Sequence, residues 1–160
     1  MVGGVNTPAL CELCTPDEIS AAISLAQQEP HVARYASQLE NAAKQPEAEL
    51  WGLYEGSLLL GYLVMTHGVF DAEIESVAVL PTARGNGVGR HLVAHACKRA
   101  HLLNRERVLL EVRESNRAAI RLYRRQGFVK DGVRRSYYDP LFPGGTRDDA
   151  VLMSYSFVSS

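Results

Sequence analysis

The residues most able to do chemistry sit in one glycine-rich turn and in three positions downstream of it. The turn reads Arg84-Gly85-Asn86-Gly87-Val88-Gly89-Arg90, after an apolar run and before a helical pattern. A strand, a glycine turn and a helix N-terminus in that order offer unpaired N–H groups and the positive end of a helix dipole, which suits a phosphate. Glycine lets the backbone come close to such a ligand and accept positive φ. Two familiar phosphate patterns fail: no Lys-Ser or Lys-Thr follows the glycines, and the third glycine of G-x-G-x-x-G is replaced by Arg90. What remains is the spacing Arg84-x-x-Gly87-x-Gly89, with a plain tight turn as the alternative. Downstream, Glu111 interrupts the apolar run Val108-Leu109-Leu110-Glu111-Val112. A carboxylate so placed suits a general base, or else it pairs with Arg113 or another arginine. Tyr123 shares a helical face with Ala119 and Ile120 and points inward. Asn116 starts that helix.

The elements around these positions follow from periodicity and caps. Ala9–Cys14 is strand-like, and Thr15-Pro16-Asp17-Glu18 reads as a capping box opening a helix that stops before Pro30. A weaker helical pattern covers about 31–44. Leu50–Tyr54, the turn Glu55-Gly56, and Leu58–Thr66 form a hairpin, extended by a third strand over Ala72–Leu80. The glycine turn leads into a helix of about 87–102. The run Val108–Val112 reads as a strand covered on both faces. Asn116 to Gln126 is helical with Gly127 just beyond its end, and strands at about 128–137 and 149–157 finish the chain. The expected fold class is α/β (α+β): a mixed central sheet with an antiparallel N-terminal meander, a β-α-β unit and flanking helices.

Composition narrows the function classes. At 160 residues the chain is expected to form a single domain, 1–160, with a core that needs no disulfides. Seventeen basic residues against eighteen acidic ones argue against a nucleic-acid-coating protein. The apolar stretch Leu58–Met65 is far too short for a membrane span, Met1–Asn6 does not read as a secretory leader, and three cysteines fit a reducing, cytoplasmic setting. Residues 1–80 hold two basic and eleven acidic groups, residues 81–160 fifteen and seven. Either the halves interleave in space, or the second half holds a polyanion while the first faces a basic partner. No metal is expected. Cys11-x-x-Cys14 lacks a second ligand pair, and His91 and His95 lack the H-E-x-x-H context.

The turn Arg84-x-x-Gly87-x-Gly89 resembles the pyrophosphate loop of the GCN5-related N-acetyltransferase (GNAT) family. The resemblance continues through Leu110-Glu111-Val112-Arg113-Glu114-Ser115-Asn116, Leu122-Tyr123, Gly127-Phe128 and Arg134-Arg135-x-Tyr137-Tyr138, over residues ~48–157. Within the family this run is similar to the ribosomal-protein alanine N-acetyltransferases (the RimI type). The segment after the first helix departs from the family, with Glu29-Pro30-His31-Val32 in place of its Phe-Pro-Trp-Ser-like stretch.

The resemblance implies a GNAT fold with a coenzyme A core at about 72–128 and acceptor-side elements at about 15–47 and 134–148. It implies acetyl-coenzyme A as donor. Arg84, Gly85, Asn86, Gly87, Val88, Gly89 and Arg90 would hold the pyrophosphate. Val77, Ala78 and Val79 would pair with the pantetheine arm, and Asn116 would bond it or simply cap its helix. Glu111 would be the base and Tyr123 the acid, with a core tyrosine as the alternative. The acceptor would be a protein N-terminus, ribosomal in the nearest type; a lysine or small amine, and a non-catalytic acetyl-CoA-binding module, are the rival readings. The protein would work as a monomer or homodimer. One of Arg117, Arg121, Arg124 and Arg125 would reach the 3′-phosphate, or the four form a solvated face. Tyr137, Tyr138 and the Asp139–Gly145 loop would wall the acceptor groove. Elementary acidity favours an α-amine: with a pKa of ~7.7–8.0 it costs ~1.4 kcal/mol to neutralise at pH 7, against more than ~4 for a lysine.

Overall fold

Thr15 caps the first helix as its sequence requires. Its hydroxyl accepts from the Glu18 amide at 3.2 Å, the Glu18 carboxylate accepts from the Thr15 amide at 3.1 Å, and Pro16 fills the first helical position. The computed structural model describes residues 7–157, so the reading of Met1–Asn6 lies outside the described residues. In chain order the strands are β1 (Ala9–Glu12), β2 (Ala48–Glu55), β3 (Leu58–His67), β4 (Asp71–Val79), β5 (Arg107–Arg113), β6 (Val129–Tyr138) and β7 (Asp148–Ser156). The helices are α1 (Pro16–Ala26), α2 (Leu39–Ala43), α3 (Val88–Leu102) and α4 (Arg117–Gln126). The 31–44 pattern is not one helix. It divides into a 3-10 segment, Ala33–Gln38, and the short α2.

The strands form one mixed sheet in the order β1-β2-β3-β4-β5-β7-β6. The first four are an antiparallel meander, and α3 carries the chain from β4 to the parallel β5. β7 inserts between β5 and β6. Two cores result. On one face α3 and α4 bury Leu63, Met65, Ile74, Leu92, Leu110 and Met153, and on the other α1 and α2 cover Leu25, Leu39, Leu50, Tyr62 and Val64. At the end of α4, Gly127 adopts φ +104°, its amide bonds to Arg124 and the Phe128 amide to Tyr123, so the helix closes in a Schellman turn.

Two departures from regularity shape the site. β4 and β5 pair only from Asp71↔Arg107 to Ile74↔Leu110, although both strands continue. Past that point β4 stays with β3 as far as Val79↔Gly61, and β5 stays with β7 as far as Arg113↔Ala150. A gap therefore opens in the middle of the sheet. β4 also carries a bulge: Val64 pairs with Ser76 and Met65 with Ile74, which leaves Glu75 as the extra residue.

Candidate active site

The glycine turn stands at the mouth of that gap. A 3-10 turn, Pro81–Ala83, precedes it; Gly85 and Gly87 take φ +81° and +79°, and α3 begins at Val88. Gly87 caps α3 in the left-handed region, and among the described residues no side-chain hydrogen bond caps that end of the helix. The first amides of a helix have no partner within it, so those of Val88, Gly89 and Arg90 point outward beside two glycines. Space around them is ample. A Cβ at Gly85 would meet nothing within 4 Å, whereas one at Gly89 would lie 2.9 Å from Leu122, where α3 packs on α4. Asn86 fastens the loop to the Ala83 carbonyl at 3.2 Å. The Arg84 guanidinium is paired with the Glu29 carboxylate, in the segment that departs from the family pattern. The turn thus offers an anion its backbone amides, while this side chain is engaged elsewhere.

On the α2 side of the sheet the gap opens into a cavity of about 540 Å³, lined among others by Asn41, Glu73, Glu75, Glu111, Tyr137 and Tyr138. The expected double cover of β5 is not what forms. Val108, Leu110 and Val112 are buried under α3 and α4, but Leu109 and Glu111 are only half-buried on the opposite face. Alternation, not a continuous core, governs this strand, and Glu111 faces the cavity with its side chain 26% exposed. Arg134 Nη1 of β6 stands 3.5 Å from it, so the arginine partner is neither Arg113 nor a core residue.

Glu73 and Glu75 were not singled out in the sequence. Two carboxylates two residues apart in this strand were a visible signal, but the bulge that adds Ser76 to the cavity side was not. Burial raises the Glu73 pKa above the usual carboxylate range, the charges of Glu75 and Glu111 raise it further, and Arg134 opposes them. Thr66 Oγ1 donates to Glu75 at 2.8 Å.

Tyr123 lies on the other face of the sheet, buried in the α3–α4 core against Phe128. Burial drives its pKa far above that of a free phenol, so the hydroxyl keeps its proton. Glu111 and Tyr123 therefore lie on opposite faces of the sheet. Asn116 caps α4, its Oδ1 accepting from the Ala119 amide at 3.3 Å. Val77, Ala78 and Val79 form the β4 side of the gap, still paired with β3. Of the cysteines, Cys11 and Cys14 are exposed, and Cys97 is largely buried with its thiol pushed up to about 11. Among the described residues no group of three His, Cys, Asp or Glu is placed to hold a metal.

A family model described as "Acetyltransferase (GNAT) family" matches residues 10–128. The chain belongs to the GNAT acetyltransferase family. It is 32% identical over 102 residues to the [ribosomal protein bS18]-alanine N-acetyltransferase of Haemophilus influenzae, covering 64% of this chain and 68% of that one. It is 36% identical over 100 residues to the N-alpha-acetyltransferase RimI of Mycobacterium tuberculosis, covering 58% and 60%. In fold it is similar to the crystal structure of the ribosomal-protein-S18-alanine N-acetyltransferase of Escherichia coli, with a TM-score of 0.85 at 24% identity over 96% of each chain. It is also similar to Arabidopsis thaliana NAA60 in complex with acetyl-CoA, with a TM-score of 0.82 at 17% identity, covering 94% and 99%. The protein is an acetyl-CoA-dependent N-acetyltransferase with the mixed sheet of that fold. Among the described residues no helix is long and apolar enough to cross a membrane.

Proposed function

We propose that this GNAT enzyme acetylates the N-terminal α-amine of a protein in the cytoplasm, by direct attack of the amine on the donor thioester. The observation that carries the reading is the gap between β4 and β5, with the glycine turn at one end and the carboxylate-lined cavity at the other. The turn fits a diphosphate: its amides are presented at a helix N-terminus beside glycines that leave room for close approach. Arg84, Gly85, Asn86, Gly87, Val88, Gly89 and Arg90 would hold that group. Val77–Val79 would pair with the extended pantetheine arm as a strand edge does with a peptide, and Asn116 would bond that arm as well. Acetyl-CoA supplies the activated acyl group.

Glu111 takes the proton of the attacking amine. Its charge is tempered by Arg134, and Glu73 beside it, with its raised affinity for a proton, is suited to receive the proton in turn. Tyr123, held protonated, donates to the departing thiolate. Neither side of the gap offers a thiol: Cys97 is packed in the α3 core and its proton is held tightly. That favours a ternary complex over an acyl-enzyme. An α-amine is the acceptor that carboxylates alone deprotonate readily, since it lies within about one pK unit of neutrality. The relatives in Haemophilus and Mycobacterium are named for the same chemistry.

The test is a free-thiol release screen of N-terminal peptides, lysine peptides with blocked N-termini, and small amines. N-terminal peptides should be the best substrates. Glu111→Gln should lower kcat by about 100-fold or more while acetyl-CoA affinity holds. Turnover confined to the lysine peptides would replace the proposed acceptor, and an unchanged rate in Glu111→Gln would remove the base.

A further inference from the structure

We infer that Arg113 is a positioning residue that sets the acceptor wall of the cavity, an inference that rests on the acceptor reading above. Arg113 ends β5 two residues beyond Glu111, so the strand that carries the base also carries this guanidinium. Its side chain is 3% exposed. The guanidinium lies under the Tyr138 ring, with Cζ 4.5 Å from the ring centre, and Nη1 donates to the Asp139 carbonyl at 2.9 Å. Asp148 Oδ2 is 4.0 Å from Nη1 and is itself bonded by the Ser115 hydroxyl. One side chain thus grips both ends of the β6–β7 connection where it borders the cavity. Arg147 fastens the outer side of the same turn, donating to the Ser136 and Tyr137 carbonyls and to Asp139.

Stability alone is a poor reason for this arrangement. A buried guanidinium is costly to desolvate, and an apolar side chain of similar volume often does as well or better. Among the described residues the buried Nε of Arg113 has no hydrogen-bond partner. A planar fork does, however, what an apolar chain cannot: it stacks on Tyr138 and fixes the Asp139 carbonyl at once. Tyr137 and Tyr138 line the cavity together with Glu111 and Glu75, and their rings meet edge to face at 5.0 Å. Holding Tyr138 holds that wall at a fixed distance from the base. The consequence falls on acceptor binding, because the donor turn follows β4, the other strand of the gap, and Arg113 makes none of its bonds to it.

The experiment is steady-state kinetics on wild type, Arg113→Met, Arg113→Lys and Tyr138→Leu with the best amine from the thiol-release screen, beside melting curves. Arg113→Met should raise the acceptor KM by about tenfold or more, with the acetyl-CoA KM changed by less than about twofold. Arg113→Lys should fail to restore it, since an ammonium neither stacks nor forks. Tyr138→Leu should raise the acceptor KM likewise, and Arg113→Lys combined with Tyr138→Leu should add little to either single change. If Arg113→Met does not fold, Arg113→Lys and Tyr138→Leu read the same split. An unchanged acceptor KM in the folded variants overturns the inference, as does a joint loss of both KM values and kcat that follows the melting temperature. If wild type prefers a lysine peptide, the α-amine reading falls while the split is still measured with that substrate.

Discussion

Burial and charge divide the work among single residues. Glu73 and Tyr123 are both pushed toward their neutral forms, yet for different ends. A neutral phenol is a proton donor, whereas a carboxyl that prefers its proton is a good terminus for one leaving an amine. The raised Glu73 pKa has a signature in stability. Its favourable contribution is complete below the ordinary carboxylate pKa of ~4.3 and is lost as pH rises through its own higher value. Glu73→Gln should therefore match wild type in melting temperature near pH 4, gain on it as pH rises through the Glu73 pKa, and hold that margin above it; a constant difference across the whole range would contradict the assignment. Tyr123→Phe should cut kcat by about 100-fold with little change in either KM, and full activity would return the residue to packing. The inward position of Tyr123 and the cap at Asn116 were legible from spacing and residue type, whereas the strand of Glu111 was expected to be covered on both faces and is not. Arg134 was not legible as the partner of Glu111, because nothing local in the sequence says that β6 returns beside β7 to bring it there.

At the scale of elements, caps and glycines predicted well because their causes are local. The Thr15 box, the Asn116 cap and the Gly127 turn each need only a few neighbouring residues, and each forms as read. The weak 31–44 pattern broke into two short pieces, as a segment without caps does: neither piece has a side-chain cap at its start. What the sequence could not reveal was long-range: the insertion of β7 between β5 and β6, the bulge at Glu75, and the point where β4 and β5 part. The glycine turn joins both classes. At Gly87, φ is +79° and a Cβ would meet Arg90 and His91 only at ordinary contact distance, 3.8 and 3.9 Å, so a substitution there acts through the backbone rather than through a clash. Gly87→Val should leave the fold intact and weaken coenzyme A binding by about tenfold, measured by calorimetry, from a strain of about 1–3 kcal/mol in a β-branched residue held left-handed. Binding as tight as wild type would mean that these amides are not the phosphate cradle.

Across the whole molecule, the strands of the acidic first half and of the basic second half lie side by side in the sheet, and ion pairs join the two halves. Glu29 meets Arg84, Glu49 meets Arg99, and Asp71 meets Arg107, each pair joining residues more than thirty positions apart. These three pairs take up part of the charge asymmetry along the chain. The most buried of these links is Glu49, which accepts from Arg99 at 2.7 Å, from Trp51 at 2.9 Å, and shares a 2.6 Å hydrogen bond with His67. Burial works to raise its pKa, but the bonds from Arg99, Trp51 and His67 together outweigh it and hold the carboxyl below its ordinary range. Its stabilisation is therefore present above ~4.3 and lost as pH falls through its depressed value. Glu49→Gln should cost about 2 kcal/mol at pH 7 by denaturant unfolding, a loss that shrinks in acid; an equal loss at every pH would assign the effect to packing. The central claim, transfer to an α-amine across the gap between β4 and β5, is tested most directly on one peptide that carries both a free N-terminus and an internal lysine. Mass spectrometric fragmentation after incubation with enzyme and acetyl-CoA should place the acetyl group on the N-terminal residue, and blocking that amine should abolish turnover. An acetyl group on the lysine, with turnover undiminished by the block, would contradict the account.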